Sequence, residues 1–135
     1  MPANIYVHLT WTTEGRTRSL GRDEARFLRA FLPAEAVRHN SKVVALGVVA
    51  NHVHVLLFIP TKIDIPRLVQ GLKGGSARLI NKGANSFVKW ASGYDVRSVS
   101  PTHVDRVVAY IHMQPKRHPT LAIVEHDDKA RGSPG

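Results

Sequence analysis

Apolar residues fall at alternate positions from Ile5 through Val7, Leu9 and Trp11, among β-branched and aromatic neighbours, which predicts a half-buried strand over Ile5–Thr13. Gly15 to Arg18 reads as a loop. From Ser19 the period becomes helical, with Phe27, Leu28, Phe31 and Leu32 sharing a face. Pro33 is expected to stop that helix at Leu32, leaving a second short helical piece over Ala34–His39. Lys42–Val49 is a strand, Ala50-Asn51 a tight turn, and His52–Ile59 a third strand ended by Pro60. Ile65–Asn81 places Leu68, Leu72, Leu79 and Ile80 on one side of a helix weakened by Gly71, Gly74 and Gly75. Ala84–Gly93 is irregular and Asp95–Ser100 a fourth short strand. Ser100 then caps a last helix with Pro101 at its first position, running through Val104, Val107, Val108 and Ile111. The order β-α-β-β-α-β-α predicts an α+β, ferredoxin-like antiparallel sheet with helices packed on it and an extra C-terminal helix. Residues 1–118 read as one domain, followed by a flexible polar tail over 119–135.

The charge balance narrows the function. Among 135 residues, 19 Lys and Arg stand against 10 Asp and Glu, a net charge of +9. That excess favours a polyanionic partner, because neutralising phosphates releases their counterions. No cysteine is present, which excludes a disulfide framework, a thiolate metal site and a thiol nucleophile. No apolar run approaches the ~20 residues of a membrane span, and the N-terminus lacks the layout of a signal peptide, so a cytoplasmic protein without a membrane partner is expected.

The strand at 52–59 holds the first chemical oddity. His52 and His54 are separated by one residue, so they share a face of the strand while Val53 and Val55 take the other. Two neutral imidazoles placed so can reach one divalent ion, but two donors do not complete a site. Other chemistries built on H-x-H fit poorly. A triad of alternating histidines needs a third at position 56, which is Leu56, and a paired H-x-[ST] design finds only His8-Leu9-Thr10. The second oddity is YIHMQ at 110–114, where Tyr110 and Gln114 are i and i+4 on one helix face. Glutamine supplies an amide oxygen for a hard cation, and tyrosine a phenol able to form a covalent intermediate. In a basic chain, these two groups beside the histidines suggest phosphodiester cleavage.

In this order, HLTWTT, HVHVLL, LVQGLKGGSARLI, W-x-x-GY-x-x-x-SVS at Trp90–Ser100 and VDRVVAYIHMQPKRH at 104–118 resemble the single-tyrosine HUH transposases of the smallest insertion sequences, the IS200-like family. HUH denotes histidine, hydrophobic residue, histidine. The resemblance implies that His52, His54 and Gln114 bind Mg²⁺ or Mn²⁺ and that no small-molecule cofactor is needed. It implies that Tyr110 attacks a phosphodiester of single-stranded DNA, leaving a 5′-phosphotyrosine and a free 3′-OH that can rejoin strands. It further implies recognition of hairpins at element ends and a homodimer in which one subunit's tyrosine helix can complete the other's site. Three positions depart from the family pattern: Asn51 replaces a usual Asp, Met113 a usual Asn, and Arg117-His118 a usual pair of histidines.

Arg16, Arg18, Lys73, Arg78, Lys82, Lys89 and Arg97 are the expected DNA contacts, with Gly74 and Gly75 allowing close backbone approach. Trp90 and Tyr94 suit either base stacking or, for Trp90, the core. His8, His39, His103 and His112 are expected to be structural, and His118 to assist near the tyrosine. The alternative from another class is a non-catalytic binder of structured single-stranded nucleic acid; a weaker one is a phosphoesterase using water as nucleophile.

Overall fold

Four strands, β1 (Asn4–Thr12), β2 (Lys42–Val49), β3 (His52–Pro60) and β4 (Asp95–Val99), form one antiparallel sheet in the order β2-β3-β1-β4. They belong to a computed structural model that describes residues 3–83 and 86–124. The helices are α1 (Arg22–Arg38), α2 (Ile65–Asn81), α3 (Val104–His112) and the short α4 (Gln114–Arg117). The α+β, ferredoxin-like expectation holds, and α3 is the extra helix that carries Tyr110.

Alternation along β1 and β3 divides the sheet into two unlike faces. Val7, Leu9 and Trp11 of β1 join Val53, Val55, Leu57 and Ile59 of β3 in the main core, where α1 and α2 cover them with Leu28, Leu32, Leu68 and Leu72. Trp90 belongs to this core, edge-on to Trp11 with ring centroids 5.8 Å apart. The opposite face presents the other residues of each strand, and the register aligns them in rows. Gly47, His54, Thr10 and Asp95 lie in one row; Ala45, Leu56, His8 and Arg97 lie in the next. Helix α3 covers part of this second face, packing Ile111 with Ala45 and Leu56.

Several boundaries differ from the sequence-based expectation. Residues 22–38 are one helix, with Pro33 inside it rather than at its end. A mid-helix proline costs about 3 kcal/mol, and each fully buried leucine returns roughly 1.5–3 kcal/mol. Leu32 and Ala36, on either side of Pro33, are both fully buried on the sheet, so packing outweighs the break. Gly71 and Gly75 in α2 serve helix packing: a methyl on Gly75 would stand 2.8 Å from Phe31 Cζ of α1, whereas one on Gly74 would meet nothing. The last helix begins as a 3-10 turn, Pro101–His103, before α3 proper. The described part of the expected tail is anchored: Pro119–Leu121 forms a 3-10 turn, and the Leu121 carbonyl accepts from Ala50 N–H at 2.8 Å. Residues 84–85 of the expected irregular segment and 125–135 of the tail lie outside the described residues.

Candidate active site

The face opposite the main core gathers His8, Thr10, His52, His54, Tyr110 and Gln114 from β1, β3 and the C-terminal helices. Two of these placements follow from strand parity, since His52 and His54 point away from the core that Val53 and Val55 enter. Both imidazoles are buried, 8% and 7% exposed, which removes them from water yet leaves their ring nitrogens directed at other side chains. Helix α3 reaches them because β2 carries glycine at position 47, directly beside His54 in the sheet. A Cβ there would stand 2.7 Å from the Ile111 carbonyl oxygen, so only glycine lets the helix lie so close.

The helix breaks at Met113, one residue before Gln114-Pro115, and α4 restarts at Gln114. The break keeps Gln114 fully buried and turns its amide to the histidines. Gln114 Nε2 donates to the Tyr110 carbonyl at 3.2 Å, which leaves Oε1 facing His52 Nε2 at 3.3 Å. On the other side of the same ring, Asn51 Nδ2 donates to the Arg16 carbonyl at 3.3 Å, and Asn51 Oδ1 lies 2.8 Å from His52 Nδ1. His52 is thus bracketed by two acceptor oxygens. A neutral imidazole has one N–H and can satisfy only one of them.

Protonating the ring to serve both is opposed by the surroundings. Burial lowers the pKa of His52 below its ordinary value; the Gln114 hydrogen bond opposes this shift, and the nearby His118 and Arg16 add to it. His54 is pushed down to about 3, first by burial and then by the charges that His52 and His8 would carry. The pair is therefore neutral at physiological pH, the state a metal ligand needs. A divalent cation fits this donor set when the ring proton is on Nδ1, since His52 Nε2 then offers a lone pair beside Gln114 Oε1. Among the described residues, no group of three or more His, Cys, Asp or Glu side chains is arranged to hold a cation, and the further oxygen beside His52 is Gln114 Oε1.

Tyr110 lies edge-on to His54 at 5.6 Å between ring centroids and to His8 at 6.1 Å. Tyr110 is 38% exposed and lines a cleft of about 430 Å³ together with Asp95, Arg97 and Val107. The Arg117 guanidinium sits over the ring, 5.1 Å from its centroid, a favourable cation–π placement. His118 stands beside His52 rather than beside the tyrosine, with ring centroids 5.4 Å apart.

His8, expected to be structural, lies beside the candidate site. Its Nε2 lies 2.9 Å from His54 Nδ1, with Thr10 Oγ1 3.2 Å from the same nitrogen. Burial lowers the His8 pKa, partly opposed by Asp95. The signal was its parity with Thr10 on the first strand, but using it needs the β1–β3 register. His39, by contrast, is paired with Glu35 at 3.0 Å on α1.

The expected DNA contacts separate into groups. Arg97 lines the cleft, paired with Asp95 at 2.9 Å, and Arg16 flanks His52 through Asn51. Arg18 reaches the Thr120 carbonyl at 3.5 Å. Lys89 pairs with Glu14 at 3.3 Å on the segment after α2. Arg78 and Lys82 are exposed at the C-terminal end of α2, in the helical layer on the other side of the sheet. Lys73 is tied down: its ammonium donates to the carbonyls of Ala91 at 2.8 Å and Gly93 at 2.7 Å, and burial lowers its pKa. Tyr94 is exposed.

The sequence and the fold match a known class. The family model described as "Transposase IS200 like" matches residues 2–114, and the chain belongs to that family of DNA transposases. It is 28% identical over 117 residues to the ISDra2 transposase TnpA of Deinococcus radiodurans, spanning 82% of this chain and 84% of that protein. A crystal structure of a candidate transposase from Deinococcus radiodurans R1 superposes with a TM-score of 0.65 at 30% identity, over 83% of this chain and 92% of the other. A REP-associated tyrosine transposase bound to a REP hairpin shares the fold, with a TM-score of 0.69 at 16% identity over 84% of this chain and 68% of that one. No helix among the described residues is long and apolar enough to cross a membrane.

Proposed function

We propose that this transposase cleaves and rejoins single-stranded DNA through Tyr110, with His52, His54 and Gln114 holding a divalent cation. The observation that carries the reading is the meeting of His52 Nε2 with Gln114 Oε1 at 3.3 Å while the Tyr110 ring lies 5.6 Å from that of His54. Two imidazole nitrogens and an amide oxygen form a mixed set that accepts Mn²⁺ more readily than the oxygen-preferring Mg²⁺. When bound, the cation polarises a phosphoryl oxygen and offsets the charge that grows there.

The chain's own residues do the rest. Tyr110 Oη forms a bond to phosphorus and loses its proton, the P–O3′ bond breaks, and the 3′ oxygen leaves to become a hydroxyl. The product is a 5′-phosphotyrosine. The half-exposed ring suits this, since a nucleophile must be reached by the strand. Arg97 lines the cleft, where it would meet phosphates of a bound strand, and Arg16 lies by His52. Arg18 and Lys89 are further candidate contacts, and Arg78 and Lys82 on the opposite side would need the DNA to reach around the sheet. A hairpin partner is supported by the REP-hairpin-bound structure that shares this fold. Tyr110 and Gln114 meet the histidines of their own chain, so a homodimer is compatible with a site complete within each subunit.

The test is a denaturing gel of the protein with labelled single-stranded DNA carrying end hairpins, with Mg²⁺ or Mn²⁺. A covalent band that needs metal and vanishes in Tyr110→Phe and His52→Ala is expected. Tight hairpin binding with no covalent band under either metal would make the chain a non-catalytic binder.

A further inference from the structure

We propose that Asn51 is a positioning residue that fixes the tautomer of His52, and so decides which imidazole nitrogen carries the lone pair offered toward Gln114. This rests on the metal reading above and concerns how the chain prepares for the cation.

Backbone carbonyls fix both amides. Asn51 Nδ2 donates to the Arg16 carbonyl and Gln114 Nε2 to the Tyr110 carbonyl, so neither amide can turn a donor to the ring without losing that bond. His52 therefore meets oxygen on both sides, at 2.8 Å from Nδ1 and 3.3 Å from Nε2. The single ring proton belongs on the shorter contact. That places N–H at Nδ1, donating to Asn51, and the lone pair at Nε2, facing the Gln114 oxygen.

Asn51 can do this because its own backbone is held. Its carbonyl accepts from Thr13 N–H at 2.9 Å, and the side chain is 8% exposed. The carbonyl that anchors its amide belongs to Arg16, which with Gly15 adopts left-handed backbone, φ 55° and 62°. The turn after β1 thus aims Arg16 O at Asn51, Asn51 aims Oδ1 at His52, and His52 aims Nε2 at Gln114. An asparagine suits this geometry better than an aspartate, because a carboxylate would set a second oxygen against the Arg16 carbonyl.

The experiment pairs a tautomer readout with metal affinity. Two-bond ¹H–¹⁵N spectra of the metal-free protein are expected to show His52 with its proton on Nδ1. In Asn51→Leu, which cannot accept, His52 is expected to shift to the Nε2–H form and Mn²⁺ affinity to fall about 10- to 100-fold. Asn51→Asp keeps an acceptor beside Nδ1, although its second oxygen then opposes the Arg16 carbonyl and it adds a charge, so it is expected to keep the Nδ1–H form and bind Mn²⁺ within a few-fold of wild type. Persistence of Nδ1–H in Asn51→Leu would overturn the assignment, and so would an Nε2–H ring in Asn51→Asp. A tautomer shift without a change in Mn²⁺ affinity would overturn the link to the cation. If the wild-type protein takes no Mn²⁺ while its tautomer still follows residue 51, the metal reading fails and control of the tautomer stands.

Discussion

Gly47 of β2 and Ile111 of α3 are in backbone contact: a Cβ on Gly47 would stand 2.7 Å from the Ile111 carbonyl oxygen and 2.9 Å from its Cγ2. Because Gly47 is paired with His54 in the sheet and Ile111 follows Tyr110 in the chain, this contact sets how near the tyrosine comes to the histidines.

Replacing Gly47 with alanine should therefore push α3 off the sheet. Overpacking of this kind costs about 1–3 kcal/mol, which the main core on the other face should survive. The expected result is a folded protein with a lowered urea midpoint and little covalent DNA complex on a denaturing gel. Full cleavage by Gly47→Ala would show that α3 need not sit where this contact puts it.

Gln114 allows a sharper substitution. Gln114→Leu removes a buried acceptor and leaves the Tyr110 carbonyl without its amide partner, a loss of about 1–2 kcal/mol by denaturation. Gln114→Glu instead brings a carboxylate to the two imidazoles. It should raise the melting temperature shift produced by Mn²⁺ above that of wild type, and Gln114→Leu should abolish the shift.

The buried histidines predict an acid-sensitive fold. His54 has a folded-state pKa of about 3 against an ordinary value of 6.5, and His52 and His8 are lowered too. Below pH 6.5 the unfolded chain takes up protons that the folded chain refuses, so stability present above 6.5 is lost as pH falls toward 3. For His54 the ceiling is about 1.4 kcal/mol per pH unit. Urea midpoints at pH 7.5, 6 and 5 should decline before the carboxylates titrate, and His54→Gln should flatten the decline.

Lys73 separates structure from DNA contact. Its ammonium holds the Ala91 and Gly93 carbonyls, so Lys73→Ala should lower stability by about 1–2 kcal/mol while changing hairpin affinity less than Arg16→Ala does. Denaturation and a binding titration at two salt concentrations measure both effects. A larger affinity loss from Lys73→Ala would return it to the DNA surface.

These examples also show how much the chain discloses before its structure is seen. The sheet and the placement of His52 and His54 were legible because strand parity is a local property. Pro33 misled because local propensity says nothing of Leu32 and Ala36 on either side of it, whose burial outweighs the break. The contact of His8 with His54 was not legible, because only pairing across strands brings the two together. Gly47 left a readable trace, since glycine inside a strand often marks another backbone close by. Lys73 was read by its charge, and its carbonyl partners are 18 and 20 residues away.

In β1 and β3 the odd-numbered residues from Val7 and from Val53 build the main core, and the even-numbered ones face α3 and the cleft. Inheritance can therefore act on the two properties separately. A copy that loses His54 or Tyr110 keeps Val7, Leu9, Trp11, Val53, Val55, Leu57 and Ile59, and with them a folded basic surface. If Tyr110 and the histidines act as proposed, mobility can decay in such a lineage without the protein disappearing, and what survives is a folded module that selection can turn to binding alone.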